Sequence, residues 1–379
     1  MVKKNFVFEE VDAVSNQKEK AGIISRSGKG NNKSVLLLWL YSLLFLVILM
    51  IIIGGLTRLT DSGLSITEWK PVSGALLPLT ENAWQQEFLK YQEIPEYKIQ
   101  NLGMSLTEFK VIYYWEWGHR QLGRIIGLVW FLGFSALILS QKITFSWVKR
   151  ALVIGILIGF QGFLGWWMVL SGLEGTMLDV ASYRLGIHLT TAFIILGLIF
   201  WYILRLHRAE VNLVQSQRYA NSSFIKTATI VLLLLYLQIF LGALVAGIDA
   251  GKTYTDWPLM AGEFFPTLAF ELKPFWRNFF ESEALVQFNH RLSGYILIVV
   301  VIYSWFKFRS SGNQKLRIYF NCVLGAVLGQ VALGIITVLY AAEWYIAILH
   351  QFSAIILVGI VLLAKFETNY PGIQLAKMP

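Results

Sequence analysis

Cysteine is nearly absent from this chain of 379 residues, and charged residues are few. The lone Cys322 excludes an internal disulfide, and we expect it to be a buried apolar thiol. Only 15% of residues are charged, which argues against a soluble protein.

No apolar segment follows Met1 closely, so we expect no cleavable secretory signal. The acids Glu9, Glu10 and Asp12 argue against a mitochondrial transit peptide.

Long hydrophobic runs are abundant instead. Hydrophobic residues make up 56% of the chain, and the mean hydropathy is +0.58. A helix needs about 20 apolar residues to cross a hydrocarbon core about 30 Å thick. Runs of that kind cover residues 35–56, 117–139, 150–170, 184–204, 226–247, 288–307, 316–340 and 344–365. The sequence therefore predicts an all-α integral membrane protein with eight transmembrane helices.

Basic residues collect at the start of the chain and in alternate connections between these runs. They are Lys3, Lys4, Lys18, Lys20, Arg26, Lys29, Lys33, Lys142, Lys149, Arg150, Arg205, Arg208, Arg218, Lys226, Lys307, Arg309, Lys315 and Arg317. Short basic loops stay in the cytoplasm, so we expect both termini there and a cytoplasmic tail over residues 1–34. The net charge of +9 then reflects topology and inner-leaflet lipid, not nucleic-acid binding.

The two halves of the chain resemble each other. Gly54-Gly55 and Asp61-Ser62-Gly63 at the end of the first run correspond to Gly242-Ala243 and Asp249-Ala250-Gly251 at the end of the fifth. The string from Gln161 to Gly165 in the third run corresponds to Gln330 to Gly334 in the seventh. This repeat predicts two pseudo-symmetric four-helix bundles, over residues 35–208 and 209–379.

Four of the five histidines occupy matching places in these halves. His119, His188, His290 and His350 lie near the starts of the even-numbered runs, the first three within a turn or two and His350 slightly deeper. These runs all cross in the same direction, so each half would present two imidazoles at similar depth. Two such imidazoles can bind one iron from both faces of a porphyrin. The pattern predicts one bis-histidine haem site in each half.

A single intramembrane histidine can also hydrogen-bond to a neighbouring helix, but four at repeated positions favour ligation. We expect the fifth, His207, to be solvated on the cytoplasmic side. Gly123 and Gly294 follow His119 and His290 by four residues, where a missing side chain admits a flat ring or a close helix.

Arginines stand beside these histidines. Arg120, Arg124 and Arg291 could pair with haem propionates through two-pronged hydrogen bonds. Snorkelling toward the outer headgroups explains them equally well.

The halves differ three residues before their first histidine. Glu116 precedes His119 on the same helical face, whereas Gln287 precedes His290. A carboxylate near a haem edge can transfer protons; an interfacial glutamate stabilised by a helix N-terminus is the plainer alternative. The asymmetry favours a reactive first half and an electron-carrying second half.

The connection over residues 57–116 is longer than a linker requires. Two aromatic-rich stripes recur in it at helical spacing: Trp84, Phe88 and Tyr91, then Leu106, Phe109 and Tyr113. They predict amphipathic helices lying on the membrane over the first half, as a lid over an apolar substrate or packed against the bundle.

Several strings together resemble the haem A synthase family over nearly the whole chain after residue 35. They are Gly54-Gly55-Leu56-Thr57-Arg58-Leu59-Thr60, Pro95-Glu96-Tyr97, Glu108-Phe109-Lys110, Glu116-Trp117-Gly118-His119-Arg120, Ala246-Gly247, Ala250-Gly251, Asp256-Trp257-Pro258-Leu259-Met260 and Asn289-His290-Arg291. The likeness is to the proteobacterial and mitochondrial form, because the loop cysteine pair of the Bacillus type is missing here.

The resemblance implies an oxidoreductase that converts haem O to haem A. Its members oxidise the C8 ring methyl to a formyl group by successive hydroxylations, with loss of water from a geminal diol. By the resemblance, His119 and His188 bracket the substrate haem, and His290 and His350 ligate a stable haem b that relays electrons. Glu116 matches an acidic residue to which the family gives a catalytic role.

The resemblance also implies a multi-pass protein of the bacterial inner membrane, or of the mitochondrial inner membrane in a eukaryote. Its partners would be the haem O synthase (a farnesyltransferase), an electron donor and membrane lipid, and a homo-oligomer is compatible with it. One rival is a di-haem cytochrome b that passes electrons from quinol, which does not explain Glu116. A second rival, a transporter, would need a cavity at the bilayer midplane.

Overall fold

The computed structural model describes residues 27–173 and 177–372, whose regular elements are all helices, with no β-strand among them. The α-helices are α1 (Ser27–Leu59), α2 (Glu81–Gln92), α3 (Pro95–Ile99), α4 (Leu106–Leu139), α5 (Phe145–Leu173), α6 (Ser182–His207), α7 (Glu210–Gln217), α8 (Ser222–Gly247), α9 (Asn278–Glu281), α10 (Glu283–Arg309), α11 (Gln314–Leu339) and α12 (Trp344–Asn369). Short 3-10 helices cover Ser73–Ala75, Ala250–Lys252, Thr267–Phe270 and Phe275–Arg277.

Eight of these helices are long and apolar enough to cross a membrane, as the hydrophobic runs predicted. They are α1, α4, α5, α6, α8, α10, α11 and α12. Most of the predicted tail lies outside the described residues, and its last part, from Ser27, already belongs to α1.

The helix α4 begins eleven residues before the predicted run, because a capping box starts it at Leu106. The Ser105 hydroxyl accepts from the backbone N–H of Glu108 at 3.3 Å, and the Glu108 carboxylate accepts from the backbone N–H of Ser105 at 2.8 Å. These bonds satisfy donors that the first helical turn would otherwise leave free. The polar first turns of α4 therefore extend beyond the apolar span.

The two aromatic stripes of the long connection pack against each other. Ring centroids are 5.0 Å apart for Trp84 and Tyr113, 5.0 Å for Phe88 and Phe109, and 5.2 Å for Tyr91 and Phe109. The first stripe lies on α2, as expected, but the second belongs to α4 itself and not to a separate helix on the membrane. Burial of the rings in a common cluster holds the connection over one end of α4.

The spanning helices pack mainly on close neighbours. Among the first four, α1 and α5 each contact α4 and α6; among the last four, α8 and α11 each contact α10 and α12. Between these groups, α6 contacts α8, and α1 contacts α12. Gln351 of α12 donates to the Ile51 carbonyl oxygen of α1 at 2.6 Å. A side-chain carbon built at Gly55 would lie 2.4 Å from Oε1 of Gln351, so a larger residue there would displace the Gln351 amide.

The expectation that Cys322 is buried is wrong. This residue is exposed on the surface of α11. Apolar surroundings in the sequence do not imply burial in a membrane protein, because a helix face that contacts lipid is as apolar as one that contacts protein.

Candidate functional site

The four predicted ligands lie on four different spanning helices. His188, His290 and His350 come six or seven residues after the first residues of α6, α10 and α12, which is the second helical turn. His119 lies thirteen residues after Leu106, deeper in its helix than the other three, although it is near the start of the apolar run. The cause is the outward extension of α4, which adds about three turns before the apolar span.

Each imidazole rests against a glycine of the preceding span. A side-chain carbon built at Gly54 would lie 3.2 Å from His119, and one at Gly165 would lie 3.2 Å from His188. In the second half the same separations are 2.9 Å from Gly242 to the His290 ring and 3.0 Å from Gly334 to the His350 ring. Any larger residue at these four positions would therefore crowd a histidine. The glycines lie on α1, α5, α8 and α11, and the imidazoles lie on α4, α6, α10 and α12.

The histidines form two pairs, one in each half. His119 interacts electrostatically with His188, and His290 with His350. All four side chains are half-buried. The two members of each pair therefore lie near enough to influence each other electrostatically.

These pairs suit a porphyrin better than a bare metal ion. Within residues 27–173 and 177–372, no three or more His, Cys, Asp or Glu side chains are grouped to hold an ion directly. Haem iron needs only two axial protein ligands, because the porphyrin supplies the other four nitrogens. The Nδ1 atom of His188 is buried without a hydrogen-bond partner, so this ring has a free polar atom inside the protein. The paired imidazoles fit an axial-ligand role in each half, and the free Nδ1 of His188 adds a buried polar atom in the first half.

A glutamine and a serine hold His290. The Gln238 amide nitrogen donates to the His290 carbonyl oxygen at 3.1 Å and lies 3.1 Å from Nδ1 and 3.4 Å from Nε2 of the same residue. The Ser293 hydroxyl, one turn along α10, donates to Oε1 of Gln238. Both ends of the glutamine amide are therefore engaged around this histidine.

His350 has the same surroundings. The Gln330 amide nitrogen donates to the His350 carbonyl oxygen at 2.9 Å and lies 3.2 Å from Nδ1. The Ser353 hydroxyl donates to Oε1 of Gln330. We call these two arrangements the Gln–Ser clasps: Gln238 with Ser293, and Gln330 with Ser353.

The first half has only part of this arrangement. Gln161 donates to the His188 carbonyl oxygen at 2.8 Å, but its own Oε1 is buried without a partner. The residue that corresponds to the clasp glutamine near His119 is Met50, four residues before Gly54. Met50 reaches toward Gly123, just as Gln238 reaches toward the corresponding Gly294.

Glu116 is buried and fully paired. Its side chain is 2% exposed. The carboxylate accepts from the Ser65 hydroxyl at 2.7 Å, from the Ile66 backbone N–H at 2.7 Å, and from Arg120 at 2.6 and 3.0 Å. Arg120 also donates to the carbonyl oxygens of Ile66 and Glu68. The pair ties the segment after α1 to the helix that carries His119.

Gln287 and Arg291 repeat this arrangement in the second half without a carboxylate. Gln287 is buried and donates to the carbonyl oxygens of Ala250 and Tyr254 at 2.8 and 3.1 Å. Arg291 donates to Oε1 of Gln287 at 2.9 Å and to two loop carbonyl oxygens. Both halves therefore fix a loop beside the first histidine, but only the first half does so with a charged acid.

The arginines singled out beside the histidines all bind loop carbonyl groups. Arg124 donates to the carbonyl oxygens of Lys70 and Pro71, each at 2.9 Å. Its Nη1 remains buried without a partner, as does Nε of Arg291. His207 lies apart from the pairs, exposed at the last residue of α6, with its Nε2 2.7 Å from the Tyr41 hydroxyl.

Sequence reasoning missed a charged cluster around Arg58 at the end of α1. Its guanidinium lies 2.6 Å from Asp61, 3.4 Å from Asp179 and 3.3 Å from Asp249. These three acids belong to the connections after α1, α5 and α8. The cluster joins the two halves on the side of the membrane where the long connections lie. The matching Asp61 and Asp249 were the only signal for it in the sequence.

Comparison with known proteins extends these observations. Residues 37–362 match the family COX15-CtaA, described as "Cytochrome oxidase assembly protein". The chain is similar to the "Heme A synthase" of Dinoroseobacter shibae, at 52% identity over 98% of this chain and 97% of the relative. It is 51% identical to the proteins of that name from Roseobacter denitrificans and Ruegeria pomeroyi, in each case over 98% of both chains.

Proposed function

The chain belongs to the COX15-CtaA family of cytochrome oxidase assembly proteins, and we propose that it acts as a haem A synthase. It is an oxidoreductase that oxidises the C8 methyl group of haem O to the formyl group of haem A. The observation that carries this proposal is the presence of two histidine pairs in a chain whose sequence is 52% identical to a heme A synthase over 98% of its length. Two successive hydroxylations, with dioxygen as the oxidant, each convert one C–H bond of the methyl group to C–OH. In each, dioxygen takes two electrons from the C–H bond and two from the electron donor, and its second oxygen atom leaves as water. The resulting geminal diol then loses water to give the formyl group.

We propose that the protein consists of two pseudo-symmetric four-helix bundles, over residues 35–208 and 209–379. The helix contacts support it, since α1 and α5 each pack on α4 and α6, and α8 and α11 each pack on α10 and α12, while α6 with α8 and α1 with α12 form the contact between the two groups. Both termini lie in the cytoplasm, and the protein resides in the bacterial inner membrane. The basic connections after α4, α6 and α10 support that orientation. The histidines then lie nearer the outer surface.

In this proposal the two pairs have different tasks. His119 and His188 bind the substrate haem O, and His290 and His350 hold haem b. When bound, haem b supplies one-electron transfer from an external donor to the reacting half. The Gln–Ser clasps support this assignment, because contacts from neighbouring side chains that orient a ligating histidine increase its affinity for the metal. A permanent cofactor benefits from such contacts more than a substrate that must leave.

Glu116 acts in the first half as a proton carrier beside the substrate. It lies one helical turn before His119, and Arg120 and Ser65 keep its carboxylate in a single orientation. A buried carboxylate that keeps its place can accept and return a proton during each oxidation. Ser65 provides a hydroxyl through which the proton can pass.

The arginines contribute by binding propionates. The buried, unpartnered Nη1 of Arg124 and Nε of Arg291 support this role, because a buried N–H without an acceptor is costly. A propionate oxygen would supply the missing acceptor in each half. Their remaining donors hold the loops in place beside the haem.

The test is haem extraction from cells that contain haem O synthase, with and without this gene. We expect haem A to replace haem O only when the gene is present, and His119→Ala to abolish the replacement. Chromatography with mass spectrometry separates the two haems by the formyl group. If haem O persisted with the wild-type gene while the purified protein bound two haems, the di-haem cytochrome b alternative would be favoured.

A further inference from the structure

The strongest unexplained difference between the halves is what surrounds each histidine. In three of the four odd-numbered spans, a glutamine stands four residues before the glycine that faces an imidazole: Gln161, Gln238 and Gln330. The fourth span has Met50 at that place. Because the strings are otherwise equivalent, the difference is a local change of chemistry on a common framework.

The position three residues after each histidine follows the same division. Ser293 and Ser353 follow the second-half histidines, and both donate to a clasp glutamine. Leu122 stands at the corresponding place after His119, where it is buried in the hydrophobic core. Thr191 follows His188, but Oε1 of Gln161 is buried without a hydrogen bond from it. The second half therefore has two complete clasps, and the first half has one incomplete clasp and one apolar substitute.

A complete clasp restricts the imidazole in two ways. The amide bonds the backbone carbonyl of the histidine and contacts the ring edge, while the serine prevents the amide from turning. Such outer contacts restrict the orientation of a histidine ring. A methionine has no hydrogen to donate and three rotatable bonds, so it does not restrict the ring in this way.

We infer that the Gln–Ser clasps are positioning elements that retain haem b, and that their incompleteness in the first half allows the reacted haem to leave. The inference rests on the proposed function for the identity of the two haems. It goes further by assigning the difference in retention to Gln238, Ser293, Gln330 and Ser353, and to Met50 and Leu122 in the first half. The first-half imidazoles, without complete clasps, would then be free to rotate.

The experiment exchanges the two environments. Gln238→Met with Ser293→Leu gives His290 the surroundings of His119, and Met50→Gln with Leu122→Ser gives His119 those of His290. Transfer of haem from the purified, haem-loaded protein to excess apomyoglobin measures the rate of haem loss. We expect the first exchange to accelerate loss of haem b about tenfold or more, and the second to slow loss of haem A by a similar factor.

The electron paramagnetic resonance spectrum of haem b gives a second readout that does not depend on catalysis. The first exchange should shift its low-spin g values, because they report the orientation of the axial imidazoles. Ser293→Ala is a milder variant for use if the double variant fails to fold. It should give a smaller shift in the same direction, and Ser293→Thr should restore the wild-type signal.

Gln351→Met is the matched control. Gln351 also bonds a backbone carbonyl on a neighbouring helix, but that carbonyl belongs to Ile51 and not to a histidine. If interhelical hydrogen bonding alone retained haem b, this variant would lose haem as fast as the first exchange, and the inference would be overturned. Unchanged haem loss in both exchanges would also overturn it. Failure to make haem A in the wild type would instead contradict the proposed function, since haem b retention is measured separately.

Discussion

The first and second halves hold their loops in the same way but with different chemistry. Arg120 and Arg291 both bind loop carbonyl oxygens and the residue one turn earlier on their own helix. That earlier residue is the carboxylate of Glu116 in the first half and the amide of Gln287 in the second. An amide suffices to fix a loop, so a buried carboxylate at this place is not required for folding alone. Burying a charge is costly unless it is paired, and its presence in one half indicates a use there.

The largest expected effect separates the histidine pairs. His290→Ala or His350→Ala removes one of two axial ligands of haem b, so we expect complete loss of the low-spin b-type spectrum from purified protein. His119→Ala and His188→Ala are the matched controls: they should keep that spectrum and make no haem A. Visible spectroscopy of the reduced protein provides the measurement. A b-type spectrum that survived in both second-half variants would contradict the assignment of the halves.

A smaller effect is expected at Glu116, and glutamine is the informative replacement. Gln287 shows that an arginine one turn later can hold an amide at this position, so Glu116→Gln should keep the fold and the haem b spectrum. It cannot carry a proton at neutral pH, and we expect haem A formation to fall about a hundredfold. Haem A produced per cell measures the effect. Near wild-type product from Glu116→Gln would show that the residue only secures the loop.

Hydrophobic patterning predicted the eight spans, because each span depends only on a continuous run of apolar residues in the chain. It failed at the start of α4, because hydropathy reports contact with lipid, whereas the helix begins at the Ser105 capping box in the aqueous connection. It also failed for Cys322, since lipid-facing and protein-facing surfaces are equally apolar. These features depend on what surrounds the helix, which the apolar pattern does not record.

Contacts between segments far apart in the sequence could not be predicted from the apolar pattern either. The cluster of Arg58 with Asp61, Asp179 and Asp249 joins three connections that only the folded helices bring together. The clasps are a different case, because the sequence already contained their signal. A glutamine preceding each facing glycine in three spans, with Met50 in the fourth, could have indicated a shared role.

The long connections on the histidine side of the two halves also contain acidic residues whose pKa values are shifted in opposite directions. Glu96 in the first connection is 3% exposed, and burial raises its pKa from the ordinary 4.5 to about 8. It contacts the Tyr91 hydroxyl at 3.0 Å and Asn101 at 3.4 Å. In the second connection, the backbone N–H groups of Ala261 and Gly262 lower the pKa of Asp256.

The smallest expected effect follows from this contrast. A raised carboxyl pKa stabilises the fold below the unfolded value and loses that contribution as pH rises through the folded value, so the Glu96 region should loosen between about pH 5 and pH 8. The contribution of Asp256 has the opposite sign, since it is present above the ordinary 3.8 and disappears only on acidification. Raising the pH from about 6 to about 9 should therefore speed hydrogen exchange, beyond its intrinsic pH dependence, in residues 88–101 and not in residues 254–263. Glu96→Gln should remove the response, because an amide stays neutral throughout. An equal response in both segments, or one that persisted in Glu96→Gln, would show that the connections do not differ in this way.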